Sequence, residues 1–294
     1  MSSPSRFAAA ALVAAGLLAP LAAEAAGTRT HVSNAGSDAN TAFSCDYAHP
    51  CRTFAAALTQ TNPGGEILAI DSSGYGKVVI DRSVSIIAAP GVFAGIGVGA
   101  GGNATGVQIA TPGVRVVLRG LTVTGQGGDY GIYMSDGESL SVENCVFSNF
   151  PLIGQFGLAV SGPATVSVID TLFRDNYNGI YLAYGATGSV AGSRIFGGVN
   201  GIKAYTSNAG ATTAVSISGT TVSGATAGIA AQAVTHAAAT TRITLSNSVV
   251  TNNNTGISLF ASNGATAVFE TLGNNTVRQN VTNSSGTITP VTQL

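Results

Sequence analysis

The chain has no tryptophan, three cysteines, and few charged residues, with 12 Lys and Arg and 13 Asp and Glu among 294 residues. Its formal net charge is -1 and it has no basic run, which argues against a nucleic-acid partner, because phosphates attract clustered Lys and Arg. After the first 25 residues no apolar run reaches the ~20 residues of a membrane span, so we expect no transmembrane segment in the mature protein. Glycine, in contrast, is abundant at 39 residues, and an apolar fraction of 45% excludes general disorder.

The first 25 residues have the pattern of a secretory signal peptide. Arg6 supplies the positive start, residues 7–21 form a short apolar stretch, and Ala23-Glu24-Ala25 has the small-x-small form of a cleavage site. The alternative is a retained N-terminal membrane anchor, which the shortness of this Ala-rich stretch disfavours. Cleavage before Ala26 predicts a secreted or periplasmic protein.

Two of the three cysteines, Cys45 and Cys51, lie close together in the segment CDYAHPC. An exported protein meets an oxidising compartment, so we expect these two thiols to form a disulfide. The alternatives are two free thiols or half of a metal site, but no second Cys/His pair has the spacing of a zinc site.

One short pattern recurs seven times between residues 118 and 279, with starts 22 to 28 residues apart. The first position is aliphatic, the sixth is apolar, and the third is always Gly, Asn or Asp, the residues that best tolerate a left-handed backbone. The third-position residues are Gly120, Asn144, Asp170, Gly192, Gly219, Asn247 and Asn274.

A Gly-Ile or Gly-Leu pair follows each of the first six units and opens a short alternating run, as in GIYM after Tyr130. The pairs are Gly131-Ile132, Gly157-Leu158, Gly179-Ile180, Gly201-Ile202, Gly228-Ile229 and Gly256-Ile257. Alternation with period 2 between Gly and Asn residues predicts short strands separated by tight bends. Because a unit of this size cannot bury its own apolar face, successive units must stack around a shared interior.

This repeat resembles the right-handed parallel β-helix of the pectate-lyase-like fold. The segment PCRTFAAALTQTNPGGEILAID, which begins at Pro50, resembles the capping helix and first strand of exported bacterial β-helix proteins. We expect Pro50 in the first turn of that helix and an apolar stripe of Phe54, Ala57 and Leu58 over the open end of the solenoid. The predicted fold is all-β, a right-handed parallel β-helix solenoid with a short N-terminal capping helix.

The predicted organisation has one folded domain behind the signal peptide. The segments are the signal peptide (1–25), an N-terminal strand with the disulfide loop and capping helix (26–64), the β-helix (65–280) and a C-terminal tail (281–294). Cys145 occupies the fourth position of its unit, where five of the six other units have Ser, Thr or Asn, which predicts a buried thiol that acts as a small apolar residue. Glu270 falls at a position that is apolar in most units, so we expect an irregular last coil that ends near Asn280.

The resemblance implies cleavage or binding of acidic polysaccharides along a groove on one parallel sheet. The hydrolases of this fold carry Asn-Thr-Asp, Asp-Asp and Ser/Gly-His-Gly motifs, which this sequence lacks. A lyase would need carboxylates for calcium and a base that removes the proton beside a carboxylate. The candidates are Asp129 and Asp136 for calcium, and Lys203 or Arg174 with Asp175 for catalysis. The alternative, which we favour, is that Asp170 and Asp175 are turn residues, and we expect a cofactor only for a lyase.

Six of the eight tyrosines lie between residues 130 and 205. In GIYM, GIYL and GIKA the flanking apolar residues point inward, so we expect Tyr133, Tyr181 and Lys203 to project from one outer face, with Tyr205 nearby. Aromatic rings beside polar groups suit a sugar, whose C–H face stacks on a ring while its hydroxyls form hydrogen bonds. The alternative is that these tyrosines only shield strand edges and bends.

The sequence therefore favours an exported, noncatalytic β-helix protein that binds a polysaccharide or cell-envelope glycan. One alternative is a polysaccharide lyase or another glycan-modifying enzyme. Another is a surface adhesin or structural protein. The sequence does not define the glycan or the oligomeric state.

Overall fold

A computed structural model describes residues 27–292, so the predicted signal peptide lies outside the described residues. In this range the chain winds into a right-handed parallel β-helix of about 8 turns, which confirms the predicted fold class. Each turn passes through three sheets, A, B and C, in that order, and neighbouring strands within each sheet pair in parallel. The strands are numbered below in chain order.

Sheet A consists of β1 (Gly27–Val32), β2 (Thr61–Ala69), β5 (Val84–Ala88), β8 (Arg115–Arg119), β11 (Ser139–Glu143), β14 (Thr165–Ile169), β17 (Thr187–Ala191), β20 (Thr212–Ser218), β23 (Thr240–Ser246), β26 (Thr266–Thr271) and β29 (Ile288–Pro290). Sheet B consists of β3 (Ser73–Gly74), β6 (Ala94–Gly99), β9 (Leu121–Gln126), β12 (Val146–Phe150), β15 (Leu172–Asn176), β18 (Arg194–Phe196), β21 (Thr221–Ser223), β24 (Val249–Thr251) and β27 (Thr276–Arg278). Sheet C consists of β4 (Val78–Ile80), β7 (Thr105–Ala110), β10 (Tyr130–Asp136), β13 (Phe156–Ser161), β16 (Asn178–Ala183), β19 (Asn200–Thr206), β22 (Ala227–Ala233), β25 (Thr255–Ala261) and β28 (Thr282–Ser285).

The interior is built from columns of apolar side chains that stack from turn to turn. The inward column of sheet C contains Ile132, Leu158, Ile180, Ile202, Ile229 and Ile257, all buried. On sheet B, Phe147 and Phe173 occupy neighbouring turns, and their rings stack with centroids 5.0 Å apart. Because fully burying such a side chain contributes about 1.5–3 kcal/mol, the shared interior supplies the stability that no single unit has.

The bend between sheets A and B uses the left-handed conformation that the third position of the repeat predicts. Six of the seven third-position residues have positive φ, from 47° at Asn247 to 73° at Gly120. At Asn274 the prediction is wrong, because Gly273 adopts the left-handed conformation there, with φ of 80°.

The glycines of the Gly-Ile and Gly-Leu pairs have a different role, since they lie inside or at the edge of sheet C strands and do not have positive φ. A Cβ atom built on Gly131 would lie 2.4 Å from the carbonyl oxygen of Gly157 in the next turn. The same near contact with the next turn recurs at Gly106, Gly157, Gly179, Gly201, Gly228 and Gly256, at 2.5–2.9 Å. These glycines therefore let the backbones of successive turns approach closely.

The N-terminal end of the solenoid is covered by helix α1 (Phe54–Thr59), whose Phe54, Ala57 and Leu58 are buried as the stripe predicts. Thr53 is the N-cap, and its side chain accepts a hydrogen bond from the Ala56 N–H. The prediction that Pro50 lies in the first turn is wrong, because the helix begins only after this cap. Within residues 27–292, no helix is long and apolar enough to cross a membrane.

Ahead of α1, a 3-10 helix (Asp38–Phe43) leads into the loop that Cys45 and Cys51 close. These two residues form a disulfide, as predicted. The loop covers the free edge of β1, since His31 N donates to Cys45 O at 2.8 Å and Cys51 N donates to His31 O at 2.9 Å. The edge of sheet A at this end is thus not open to pairing with another chain.

The solenoid continues past the predicted end at Asn280, because β28 and β29 extend sheets C and A. The sequence pattern misses these strands because β28 has the sequence TNSS and is exposed along its whole length, without apolar alternation. The last coil is irregular, as the position of Glu270 predicts. Glu270 pairs with Thr244 and points outward, where its carboxylate forms an ion pair with Arg242, and the bend that follows contains one extra residue.

Cys145 is a free, buried thiol, as predicted. Its Sγ donates to the carbonyl oxygen of Glu143 at 3.3 Å, and burial raises the pKa of the thiol to about 11. The residue therefore packs as a small apolar side chain rather than acting as a nucleophile.

Candidate functional site

The outer face of sheet C carries most of the residues that the sequence singles out. Strand pairing places Tyr133, Ala159, Tyr181 and Lys203 in one outward column over four successive turns. Thr105, Tyr130, Phe156, Asn178 and Asn200 form a second outward column beside it. Because strands are ~4.8 Å apart, side chains in one column contact their neighbours along the axis of the solenoid.

Six half-buried aromatic side chains on this face form one connected set, which we call the aromatic strip. Its members are Tyr130, Tyr133, Phe156, Tyr181, Tyr184 and Tyr205. The Tyr130 ring lies 4.8 Å from that of Tyr133 and stacks on Phe156 at 5.2 Å, with the planes 4° apart. The strip continues from Phe156 to Tyr181 at 5.4 Å and from Tyr181 to Tyr205 at 6.1 Å.

Tyr184 completes the strip at the corner between sheets C and A. Its φ of 57° places it in the left-handed bend after β16, and its ring meets that of Tyr205 edge-on at 5.5 Å. Such aromatic pairs contribute about 0.5–1.5 kcal/mol each beyond the area they bury, so the rings hold one another in place.

Lys203 supplies the positive charge beside the strip. Its Nζ lies 5.5 Å from the centroid of the Tyr205 ring, within the range of a cation–π interaction. Burial lowers the pKa of Lys203, and within residues 27–292 no carboxylate forms an ion pair with its ammonium. The same burial raises the pKa of Tyr181 and of Tyr130, so both phenols keep their protons and can donate hydrogen bonds.

A line of side-chain amides borders the strip on the second column. Asn200 Nδ2 donates to Asn178 Oδ1 at 2.8 Å, and Asn178 Nδ2 donates to the carbonyl oxygen of Gln155 at 3.1 Å. These contacts fix the orientations of both amides, of which Asn178 is buried and Asn200 is partly exposed.

The structure does not bring the other catalytic candidates to Lys203. Arg174 and Asp175 lie on β15 of sheet B, exposed to solvent, with Arg174 Nε 3.3 Å from Asp175 Oδ2. Asp175 has φ of 56° and Asp170 has φ of 49°, which fits the turn role that we favoured for both. The Arg174–Asp175 pair and Lys203 therefore lie on different sheets of the solenoid.

The two candidate calcium ligands lie at opposite ends of β10. Asp129, just before the strand, accepts a hydrogen bond from Ala104 N at 3.0 Å, and Asp136, its last residue, accepts one from Gly137 N at 2.7 Å. Each carboxylate therefore fixes a bend. In the described part of the chain, no three His, Cys, Asp or Glu side chains lie close enough together to hold a metal ion.

Phe156 joins the two halves of the strip, and the tyrosine pattern of the sequence does not reveal it as a site residue. The available signal is its repeat position, because Phe156 precedes Gly157 as Tyr130 precedes Gly131.

Comparisons with known proteins agree with this architecture. A family model described as a right-handed beta helix region matches residues 105–282. The fold is similar to the crystal structure of pectate lyase Pel9A, with a TM-score of 0.59 and 17% identity over 89% of this chain and 77% of that one. It is also similar to XylC in complex with xylose, with a TM-score of 0.59 and 10% identity over 90% of this chain and 70% of that one. No curated protein sequence matches the chain.

Proposed function

The chain belongs to the right-handed β-helix family, and from this premise we propose that it is an exported protein that binds a polysaccharide along the aromatic strip without cleaving it. The strip itself is the observation that carries the proposal. It presents ring faces over four successive turns, which span about 14 Å at ~4.8 Å per step. A sugar chain matches such a surface, because each sugar has an apolar C–H face and a polar rim.

Lys203 and the phenol groups supply the polar part of this recognition. The ammonium donates hydrogen bonds to hydroxyl or carboxylate oxygens, and a bound glycan oxygen would compensate the partly buried charge. Of the two proteins with a similar fold, one is named a pectate lyase and the other was solved in complex with xylose. The disulfide between Cys45 and Cys51 is consistent with an extracellular or periplasmic location.

A noncatalytic role follows from the scarcity of convergent charge on the strip. Among residues 27–292, Lys203 is the only cation placed against a ring of the strip, while Asp129 and Asp136 hold bends at either end of β10. Proton abstraction beside a carboxylate needs both a base and a group that stabilises the new charge, within hydrogen-bond distance of the same sugar. The strip offers the amine of Lys203 as a base, with only neutral phenol hydroxyls beside it to stabilise that charge.

Affinity electrophoresis in gels that contain polygalacturonate or xylan tests binding. The double variant Tyr133→Ala/Tyr181→Ala should lose about 30-fold in affinity or more, because truncation of a buried anchor costs about 2 kcal/mol or more. Phe196→Ala is the matched control, since Phe196 is an outward, part-exposed ring on sheet B. Unchanged retention of the double variant, with native circular dichroism, would remove the strip from the binding site.

Catalysis is tested separately by incubating the protein with both polymers, with and without calcium. Formation of unsaturated sugar ends is followed by ultraviolet absorbance. We expect no product above the buffer blank. Steady release that disappears in Lys203→Ala would overturn the noncatalytic part of the proposal and favour a lyase.

A further inference from the structure

A cleft of about 530 Å³ lies on the outer face of sheet C at its N-terminal end. Three parts of the chain form it: the outer side of α1, the first two strands of sheet C, and the glycine-rich loop of residues 100–104. None of the six rings of the strip lines the cleft.

The cleft is continuous with the aromatic strip. Thr105 and Gln108, which line it, are the pairing partners of Tyr130 and Tyr133 on the neighbouring strand. Since one strand step is ~4.8 Å, a ligand that covers the first two rings of the strip reaches the cleft with its next unit.

The two ends of this face differ in shape. At the N-terminal end, Ala55, Leu58 and Thr59 of α1 form the far wall of the cleft. At the other end, the outward column continues beyond Lys203 with the small side chains of Ala230 and Ser258. A linear ligand on the strip is therefore blocked by the helix in one direction and unobstructed in the other.

The lining of the cleft suits a sugar ring. Val79 forms an apolar floor and is 62% exposed, and the amides of Gln108 and Asn103 can donate and accept hydrogen bonds. The ammonium of Lys77 and the guanidinium of Arg82 add donors. A ring that stacks on the valine would find hydroxyl partners at its edge.

The cleft is also preformed. Arg82 is held by Asp81, with Nε and Oδ1 2.8 Å apart, and its Nη1 donates to the carbonyl oxygen of Thr61 at 3.1 Å. The glycine-rich loop is tied to the strip, because Ala104 N donates to Asp129 Oδ2 at 3.0 Å and Tyr130 N donates to Ala104 O at 3.0 Å. A preformed site loses little conformational entropy when it binds.

We propose that this cleft binds the terminal sugar of a glycan chain whose following units lie on the aromatic strip, so that the protein recognises chain ends. The inference rests on the proposed function, because the strip must hold the rest of the chain. The inference also gives the bound glycan an orientation on sheet C. Its end lies at α1, and the rest of the polymer extends past Ala230.

The test compares polygalacturonate and xylan with oligosaccharides cut from each, at equal sugar mass. If the cleft binds chain ends, retention rises with the number of ends in the sample. Gln108→Ala, which removes an amide, and Ala55→Trp, which fills the cleft from the exposed side of α1, should each weaken oligosaccharide binding at least tenfold. Ser258→Ala, in the same outward column at the unobstructed end, is the matched control and should bind as wild type does.

The outcomes separate this inference from the proposed function. Retention that follows sugar mass, is unchanged in Gln108→Ala and Ala55→Trp, and is lost in Tyr133→Ala/Tyr181→Ala would overturn end recognition and leave the strip intact. Absence of retention for every probe with wild-type protein would overturn both. Retention that follows chain ends but survives both cleft variants would place the end-binding site elsewhere and overturn the inference.

Discussion

Replacing Gly179 by alanine tests how the turns are packed. An ideal Cβ at this position would lie 2.5 Å from the carbonyl oxygen of Gly201 and 3.1 Å from Cγ2 of Ile195, whereas ordinary van der Waals contact begins at 3.4 Å. Gly201 lies in β19, which is hydrogen-bonded to the strands on both sides, so its carbonyl cannot withdraw without distorting the ladder. Overpacking of this kind lowers the free energy of unfolding by about 1–3 kcal/mol and occasionally more. Because the carbonyl of Gly201 is rigid, we expect a loss of about 3 kcal/mol.

Urea unfolding followed by far-ultraviolet circular dichroism measures this loss. Thermal unfolding gives a second measure. In a domain of this size a loss of 1 kcal/mol in unfolding free energy lowers the midpoint temperature by about 2–4 °C, so the midpoint should fall by about 6–12 °C. Gly99→Ala is the control, because a Cβ there meets nothing within 4 Å and its φ is not positive. A stability within about 0.5 kcal/mol of wild type for Gly179→Ala would refute the packing argument. A loss of stability in Gly99→Ala equal to that in Gly179→Ala would also refute the packing argument.

Three further predictions concern the buried thiol, the disulfide loop and a histidine. With a pKa of about 11, about one Cys145 side chain in a thousand is a thiolate at pH 8, so iodoacetamide should not modify the native protein. In urea without reductant, iodoacetamide should alkylate one thiol per chain, as mass spectrometry would show. Rapid labelling of the native protein would contradict this. The double variant Cys45→Ser/Cys51→Ser should keep its β-sheet signal but lose about 2 kcal/mol in urea unfolding, because an open loop gains entropy in the unfolded chain; an unchanged urea midpoint would refute this. Burial lowers the pKa of His31 below its ordinary 6.5, so the imidazole takes up a proton more readily in the unfolded chain than in the folded one. The stability that neutral His31 contributes above pH 6.5 is therefore lost as the pH falls through 6.5 towards the folded pKa. The melting temperature should therefore fall between pH 7 and 5, less steeply in His31→Gln, and equal slopes would refute the assignment.

The fold was predictable because its determinants repeat. The left-handed bend recurs once per turn and selects Gly, Asn or Asp, as at Gly120 and Asn144, so the sequence alone reveals the period. The strands beyond Asn280 escaped prediction because their sequence has no apolar alternation. One extra residue in the bend turns Glu270 outward, and a single insertion cannot be distinguished from an irregular repeat in one sequence.

The candidate site was only partly predictable. Alternation within a strand was enough to place Tyr133, Tyr181 and Lys203 in one outward column. The stacking of Phe156 on Tyr130 follows from their pairing on neighbouring strands. The contact of Phe156 with Tyr181 in the other column depends on side-chain packing, which the sequence does not define. The cleft at α1 was beyond sequence reasoning, because segments far apart in the chain form it together.

The outer face of sheet C shows that the fold and the proposed site depend on different residues. The inward column is aliphatic from Ile132 to Ile257, whereas the outward column accepts Tyr133, Ala159 and Lys203 without disturbing the ladders. Shielding of the backbone would need only apolar cover, for which neither a phenol hydroxyl nor an ammonium is required. Burial lowers the pKa of Lys203 and so disfavours its charged form, while its ammonium lies near the ring of Tyr205. An ammonium beside phenol hydroxyls suits a ligand that accepts hydrogen bonds, in line with the proposed role of the strip.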